Sequence, residues 1–178
     1  TGSRRIIGNS QPITNHRWRG MAWDIISQKM FGLSIGNAGG GQLYQFNLES
    51  GTAIPTVAIV GLQAPEWIAI SNDGEMYALD LATDDIFLVD INTGVSSRIG
   101  NIGFDANFTQ DADFDPFSNN LYMAAFRNGS FQSELRQINL ATGRSTTVGI
   151  IAGTGQVGAF AISGKDFTGE YEYDWSPV

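Results

Sequence analysis

The chain has 178 residues, 42% of them apolar, with 18 acidic against 10 basic side chains, one histidine, no cysteine and a net charge of −8. That length fits one domain able to bury a sizeable core, and the lack of cysteine excludes disulfides, thiolate metal sites and cysteine nucleophiles. Four of the basic residues (Arg4, Arg5, Arg17, Arg19) lie near the start, so the remainder is strongly acidic and speaks against nucleic acid or anionic membranes as partners.

The chain opens Thr-Gly-Ser rather than on Met, which raises the expectation of a processed or excised piece. "SRRIIG" near the start resembles "SSRIG" at 96–100 and predicts a lone fourth strand. From there one unit is written three times. Turn glycines Gly51, Gly94 and Gly143 are 43 and 49 residues apart, near the period of four-stranded repeat blades. Predicted first strands are "GMAWD", "WIAIS" and "DADFD"; second strands "KMFGLSI", "EMYALDL" and "NLYMAAF". Third strands are "QLYQFNL", "DIFLVDI" and "ELRQINL"; fourth strands "AIPTVAIVG", "VSSRIGNIG" and "STTVGIIAG". Gly, Asn and Asp at the intervening turns supply the positive φ that tight hairpins require. Apolar residues recur with period two, as in Phe87, Val89 and Ile91, and no sustained 3.6 period occurs, so helix is expected to be close to nil. "VGAFAIS" at 157–163 reads as another first strand and "GEYEYDW" as a second.

The expected architecture is all-β: three full four-stranded blades over about 18–61, 65–103 and 110–153, with partial blades at both ends, the closing one over 156–175. The whole of 1–178 is then a single domain or a piece of a ring. The apolar first strands, the Leu-Tyr second strands and the "I-D/N-x-x-T-G" third turns resemble the β-propellers of bacterial secreted and surface proteins. The Gly-His and Trp-Asp pairs of WD40 blades and the paired glycines of kelch blades are absent from the sequence. The repeat architecture, the acidic surface, the absent cysteine and the lack of a catalytic constellation point to a non-catalytic binding or adhesion module, secreted or on the cell surface, with a protein or glycan ligand. A carbohydrate-active or other hydrolytic enzyme on the same fold is the alternative, as is an assembly module. Open ends would expose strand edges and apolar faces. Closure into four blades, copies of the chain, or another chain completing a larger ring would each cover them.

Candidate sites follow from the differences between the copies. Asp111, Asp113 and Asp115 alternate along one first strand and so share a face. Three like charges in a row call for a hard cation such as calcium or nearby donors; the alternative is that Asp115, before Pro116, is a turn residue and Asp111 sits in a solvated loop. "HRWRG" offers His16, Arg17, Trp18 and Arg19 as a basic and aromatic patch for an anion or a sugar ring; the alternative is that Trp18 packs between blades while the arginines are solvated or pair with nearby acids. Loops that join second to third strands, and fourth strands to the next first strand, fall on one face of a propeller. They gather Glu66, Asp84, Asp85, Asp105, Asn107 and Arg127 there, with Asn37 and Asn128. A glycosidase carboxylate pair is drawable from Asp84, Asp85, Asp105 or Asp111, but sequence alone fixes no separation. "GTGQVG" at 153–158 matches a dinucleotide fingerprint without the helix that fingerprint needs, and reads as an inter-blade loop. With one histidine and no G-x-S-x-G elbow, no serine-hydrolase site is drawn. The longest mostly apolar run, Ala53 to Leu62, is too short for a membrane helix.

Overall fold

The computed structural model describes residues 6–107, 109–151 and 155–163. Among the described residues it contains twelve strands and no helix. The first sheet comprises β1 (His16–Asp24), β2 (Lys29–Gly36), β3 (Gly41–Asn47) and β4 (Thr52–Ile59); the second β5 (Pro65–Ile70), β6 (Met76–Asp80), β7 (Asp85–Val89) and β8 (Ser96–Asn101). The third comprises β9 (Asp111–Phe114), β10 (Leu121–Arg127), β11 (Gln132–Ile138) and β12 (Ser145–Ile150). Each sheet is an antiparallel meander in chain order. The first strands β1, β5 and β9 contact one another in sequence, so they line a common axis and the sheets fan outward from it.

The turns follow from short-range chemistry. Asn47 Oδ1 accepts from Glu49 N at 2.9 Å and Ser50 N at 3.0 Å; Asp90 Oδ1 accepts from Asn92 N at 2.8 Å and Thr93 N at 3.0 Å; Asn139 Oδ1 accepts from Ala141 N at 2.9 Å. The glycine four residues on then donates to the same residue's carbonyl, at 2.8 Å in all three copies. This is why Asn or Asp stands at the end of each third strand or directly after it, and each turn closes on Gly.

Those glycines also set the spacing of the sheets. At Gly143 (φ +77°) an added Cβ would lie 2.7 Å from Gly100 Cα, and at Gly94 it would lie 3.0 Å from Ala58 C. Each turn therefore wedges against the fourth strand of the preceding sheet. Gly51 meets Gly8 in the same way, its Cβ position 2.9 Å from Gly8 Cα. Residues 6–8 thus stand where a preceding blade's fourth strand belongs, as the likeness of "SRRIIG" to "SSRIG" predicts, although they carry no ladder of their own.

Two apolar layers lie between successive sheets. Leu33, Leu43, Ile68, Met76 and Ala78 join the first sheet to the second; Trp67, Leu79, Ile86, Leu121 and Met123 join the second to the third. All ten are at most 1% exposed, and each large side chain so buried contributes about 1.5–3 kcal/mol. On the far side of the first sheet, Met21 and Trp23 of β1 share a face with Met30 and Phe46 and stay 61% and 43% exposed.

The closing segment differs from expectation. Residues 157–163 form no ladder with any other described residues, and the predicted second strand "GEYEYDW" lies outside the described residues. The segment is nevertheless held where a fourth innermost strand would run: Phe160 N donates to Asp111 Oδ2 and Ile162 N to Asp113 Oδ2, both at 2.8 Å.

Candidate ligand site at the axis

Two innermost strands carry a bulge at the same level. In β1 the register steps between Trp18 and Gly20, leaving Arg19 unpaired; in β5 it steps between Pro65 and Trp67, leaving Glu66 unpaired. A bulge re-aims the extra residue's side chain. Arg19 Nη1 lies 3.0 Å from Glu66 Oε2 and donates to Oε1 at 3.3 Å. Glu66 is 2% exposed, and burial lifts its carboxyl to about 7 despite Arg19, the Gln110 backbone N–H and Arg17, all of which pull it down; Asp111 adds to the rise. The equivalent place before β9 belongs to Gln110, which is 1% exposed.

The loop face forms as the topology requires. Gly40 N donates to Gln63 O, Leu81 N to Ala64 O, Ile102 N to Asp84 O and Asn128 N to Asp105 O, so the second-to-third loops meet the fourth-to-first loops. Asp80, 1% exposed, accepts from Gln63 N, Ala64 N and Ala82 N. Asp84, held at φ +56°, accepts from Ala106 N at 3.1 Å, and burial raises its carboxyl above the usual range. Asp105 accepts from Asn128 Nδ2 at 2.9 Å, Asn128 accepts from Asn107 Nδ2 at 3.1 Å, and Arg127 is exposed beside them.

Other predicted residues go elsewhere. Asp85 takes a bidentate pair from Arg98, at 2.6 and 2.9 Å; that bond holds its carboxyl below the usual range. His16 Nδ1 sits 2.9 Å from Ser34 Oγ, and Ser34 Oγ donates to Tyr44 Oη at 3.0 Å. Trp18 packs on its own sheet, its ring 4.7 Å from Tyr44 and 5.3 Å from Phe46, with Nε1 donating to Ser10 O. Arg17 is exposed.

Asp111 and Asp113 do share a face, and that face receives backbone N–H groups. Burial lifts Asp111 to about 6 against the pull of Phe160 and Ala112 N–H, and burial likewise raises Asp113. Asp115 does not join them. It accepts from Phe117 N and Ser118 Oγ in a turn, and these bonds hold it below the usual carboxylate range. Asp24 and Ser71 hold the matching turns of the other sheets. Among the described residues no three His, Cys, Asp or Glu side chains gather in a metal-ligating group.

Below the polar level lies a cleft of about 710 Å³, bounded by Arg19 to Trp23 of β1, Phe46, Asp111 to Asp113 and residues 158–161. Sequence reasoning missed Gln110, which directly precedes the conspicuous "DADFD". Aligning the first strands one residue further back places Arg19, Glu66 and Gln110 in one column.

Three stacked four-stranded antiparallel sheets around an axis define the chain as an arc of a β-propeller. It belongs to the family described as a domain of unknown function, DUF4394, whose model matches residues 67–161, more than half of the chain. No curated protein matches it in sequence. Among solved structures it is similar to a nidogen/laminin complex, with TM-score 0.59, 16% identity, and 79% of this chain over 51% of that one. A calcium-binding regucalcin from Agrobacterium tumefaciens gives TM-score 0.53 at 15% identity, with coverages of 79% and 48%. A catalytically inactive virginiamycin B lyase from Staphylococcus aureus, solved with quinupristin, gives 0.53 at 8%, with 78% and 43%. The chain spans about half the length of the solved structures it matches. At these identities the likeness is one of fold.

Proposed function

We propose that the chain is a non-catalytic binding module of a secreted or surface protein, and that its working surface is the loop face around the axis. The observation that carries this reading is the convergence of Arg19, Glu66 and Gln110 from three successive sheets, ringed by the loops at 37–40, 63–66, 84–85, 105–107 and 127–128. Loops on a rigid scaffold are where recognition is commonly built. The carboxylates a hydrolase would draw on are engaged: Asp85 by Arg98, Asp84 by Ala106 N–H and Asp111 by Phe160 N–H. Relatives in fold include a protein complex, a calcium-binding protein and a lyase, so the site rather than the fold must argue the function.

The test is an array of extracellular glycans and proteins, probed with the chain and with two charge-altered forms. Arg127→Glu with Asp84→Lys alters the loop face; Thr93→Glu with Thr142→Glu alters the opposite turns. Binding lost only in the loop-face form supports the reading. A blank array, or loss only in the opposite form, overturns it.

A second reading rests on the outward side of the first sheet. Met21 and Trp23 are exposed there, at the positions of a sheet that elsewhere meets a neighbour. As an assembly module the chain would cover this face with further blades. A native mass above that of one 19.2 kDa chain, reduced by Trp23→Glu, supports this; a clean monomer in both forms counts against it.

A further inference from the structure

Arg19, Glu66 and Gln110 are unlike in charge yet occupy one structural position. Arg19 Nε and Gln110 Oε1 are both buried and have no hydrogen-bond partner among the described residues. A buried polar group without a partner is costly. Gln110 is otherwise fixed, its Nε2 donating to Asn107 O at 3.3 Å and its backbone N–H facing Glu66. The idle donor and the idle acceptor thus belong to two residues that both adjoin the Glu66 carboxyl.

The chemistry of a matching ligand group is restricted. A carboxylate or phosphate would meet the Arg19 donor but bring its charge against Glu66, Asp111 and the idle Gln110 carbonyl. An ammonium would satisfy Gln110 and Glu66 but face the Arg19 cation. Hydroxyl groups suit both: the oxygen of one accepts from Arg19 Nε–H, and another donates its hydrogen to Gln110 Oε1. Glu66, buried beside them, then completes a neighbouring position for a second hydroxyl.

We propose that the axial trio Arg19, Glu66 and Gln110 is the anchoring subsite for a neutral, hydroxyl-rich ligand, a sugar or polyol, bound through adjacent hydroxyl groups. This rests on the loop-face reading above and specifies the ligand class and the residues that hold it. The cleft below offers Met21 and Trp23 side chains against which the less polar face of a sugar ring can lie.

The experiment titrates the chain with glucose, mannose, galactose, N-acetylglucosamine and glycerol at millimolar concentrations, following the Arg19 Nε–H and Gln110 side-chain amide resonances by NMR. The expected result is a saturable shift of both with at least one probe. Gln110→Leu keeps the volume and removes the acceptor, and should weaken binding about tenfold or more. Arg19→Lys should do the same by removing the Nε donor. If Gln110→Leu fails to fold, Gln110→Glu, which adds a charge where a neutral group is needed, carries the test. No shift with any probe overturns the proposal while leaving open a protein ligand on the array. Sugar binding that survives both substitutions also overturns it, and places recognition elsewhere on the loop face. Shifts with acetate or ammonium but not with sugars would show an ion site instead.

Discussion

Substituting Gly143 by alanine separates two costs that the fold combines. At φ +77° a Cβ is strained whatever surrounds it, at about 1–2 kcal/mol. Here it would also strike the Gly100 backbone, with Cα 2.7 Å away. Backbone cannot swing aside like a flexible side chain, so the overpacking adds about 1–3 kcal/mol. Gly129 supplies the control, with φ +83° and nothing within 4 Å of its Cβ position. Gly129→Ala should therefore lose only the first amount. The gain from restricting the unfolded chain is common to both and cancels. Urea and thermal unfolding of the two variants should differ by about 1–3 kcal/mol, equivalent to a Tm gap of roughly 2–12 °C for a chain of this size. Equal losses would refute the claim that the turn glycines are wedges setting the contact between sheets.

The pH dependence has a definite sign. Glu66 has its carboxyl raised from 4.5 to about 7, so between those values the native state binds more protons than the unfolded one and stability falls as pH rises. The loss is of order 2–3 kcal/mol from pH 4.5 to pH 7; Glu66→Gln should flatten urea midpoints over that window, and an unchanged profile would contradict the burial of an ionisable Glu66. Asp113→Ala should speed amide exchange at Ile162 and protease cutting within 157–163, whereas Asp113→Asn, which retains an acceptor, should leave both near wild type. The loss on removing such a bond is about 1–3 kcal/mol locally.

Much of the fold was legible because the repeats state it redundantly. Period-two strands and Asn/Asp-x-x-x-Gly turns recur three times, and the twelve strands predicted for the three full blades each have their counterpart. Of the opening "SRRIIG" only residues 6–8 are described; there Gly8 repeats the contact of Gly100 without the predicted strand. The site was less legible. Alternation showed that Asp111 and Asp113 share a face, but what lies on that face depends on a segment 49 residues away. Asp115 reads as a third member of the row until the ladder is seen to end at Phe114. The bulges at Arg19 and Glu66 leave no local signature, because a bulge is defined by a count against the partner strand. Gln110, uncharged beside three aspartates, carried no signal until that offset exposed the column.

The most direct test of the loop-face account is amide hydrogen exchange on the chain with and without its tightest array ligand. The account predicts protection at residues 63–66, 105–107 and 127–128 and around Gln110, with the opposite turns at 49–51, 92–94 and 141–143 unchanged. Protection confined to those opposite turns, or to the outward face bearing Met21 and Trp23, would contradict it.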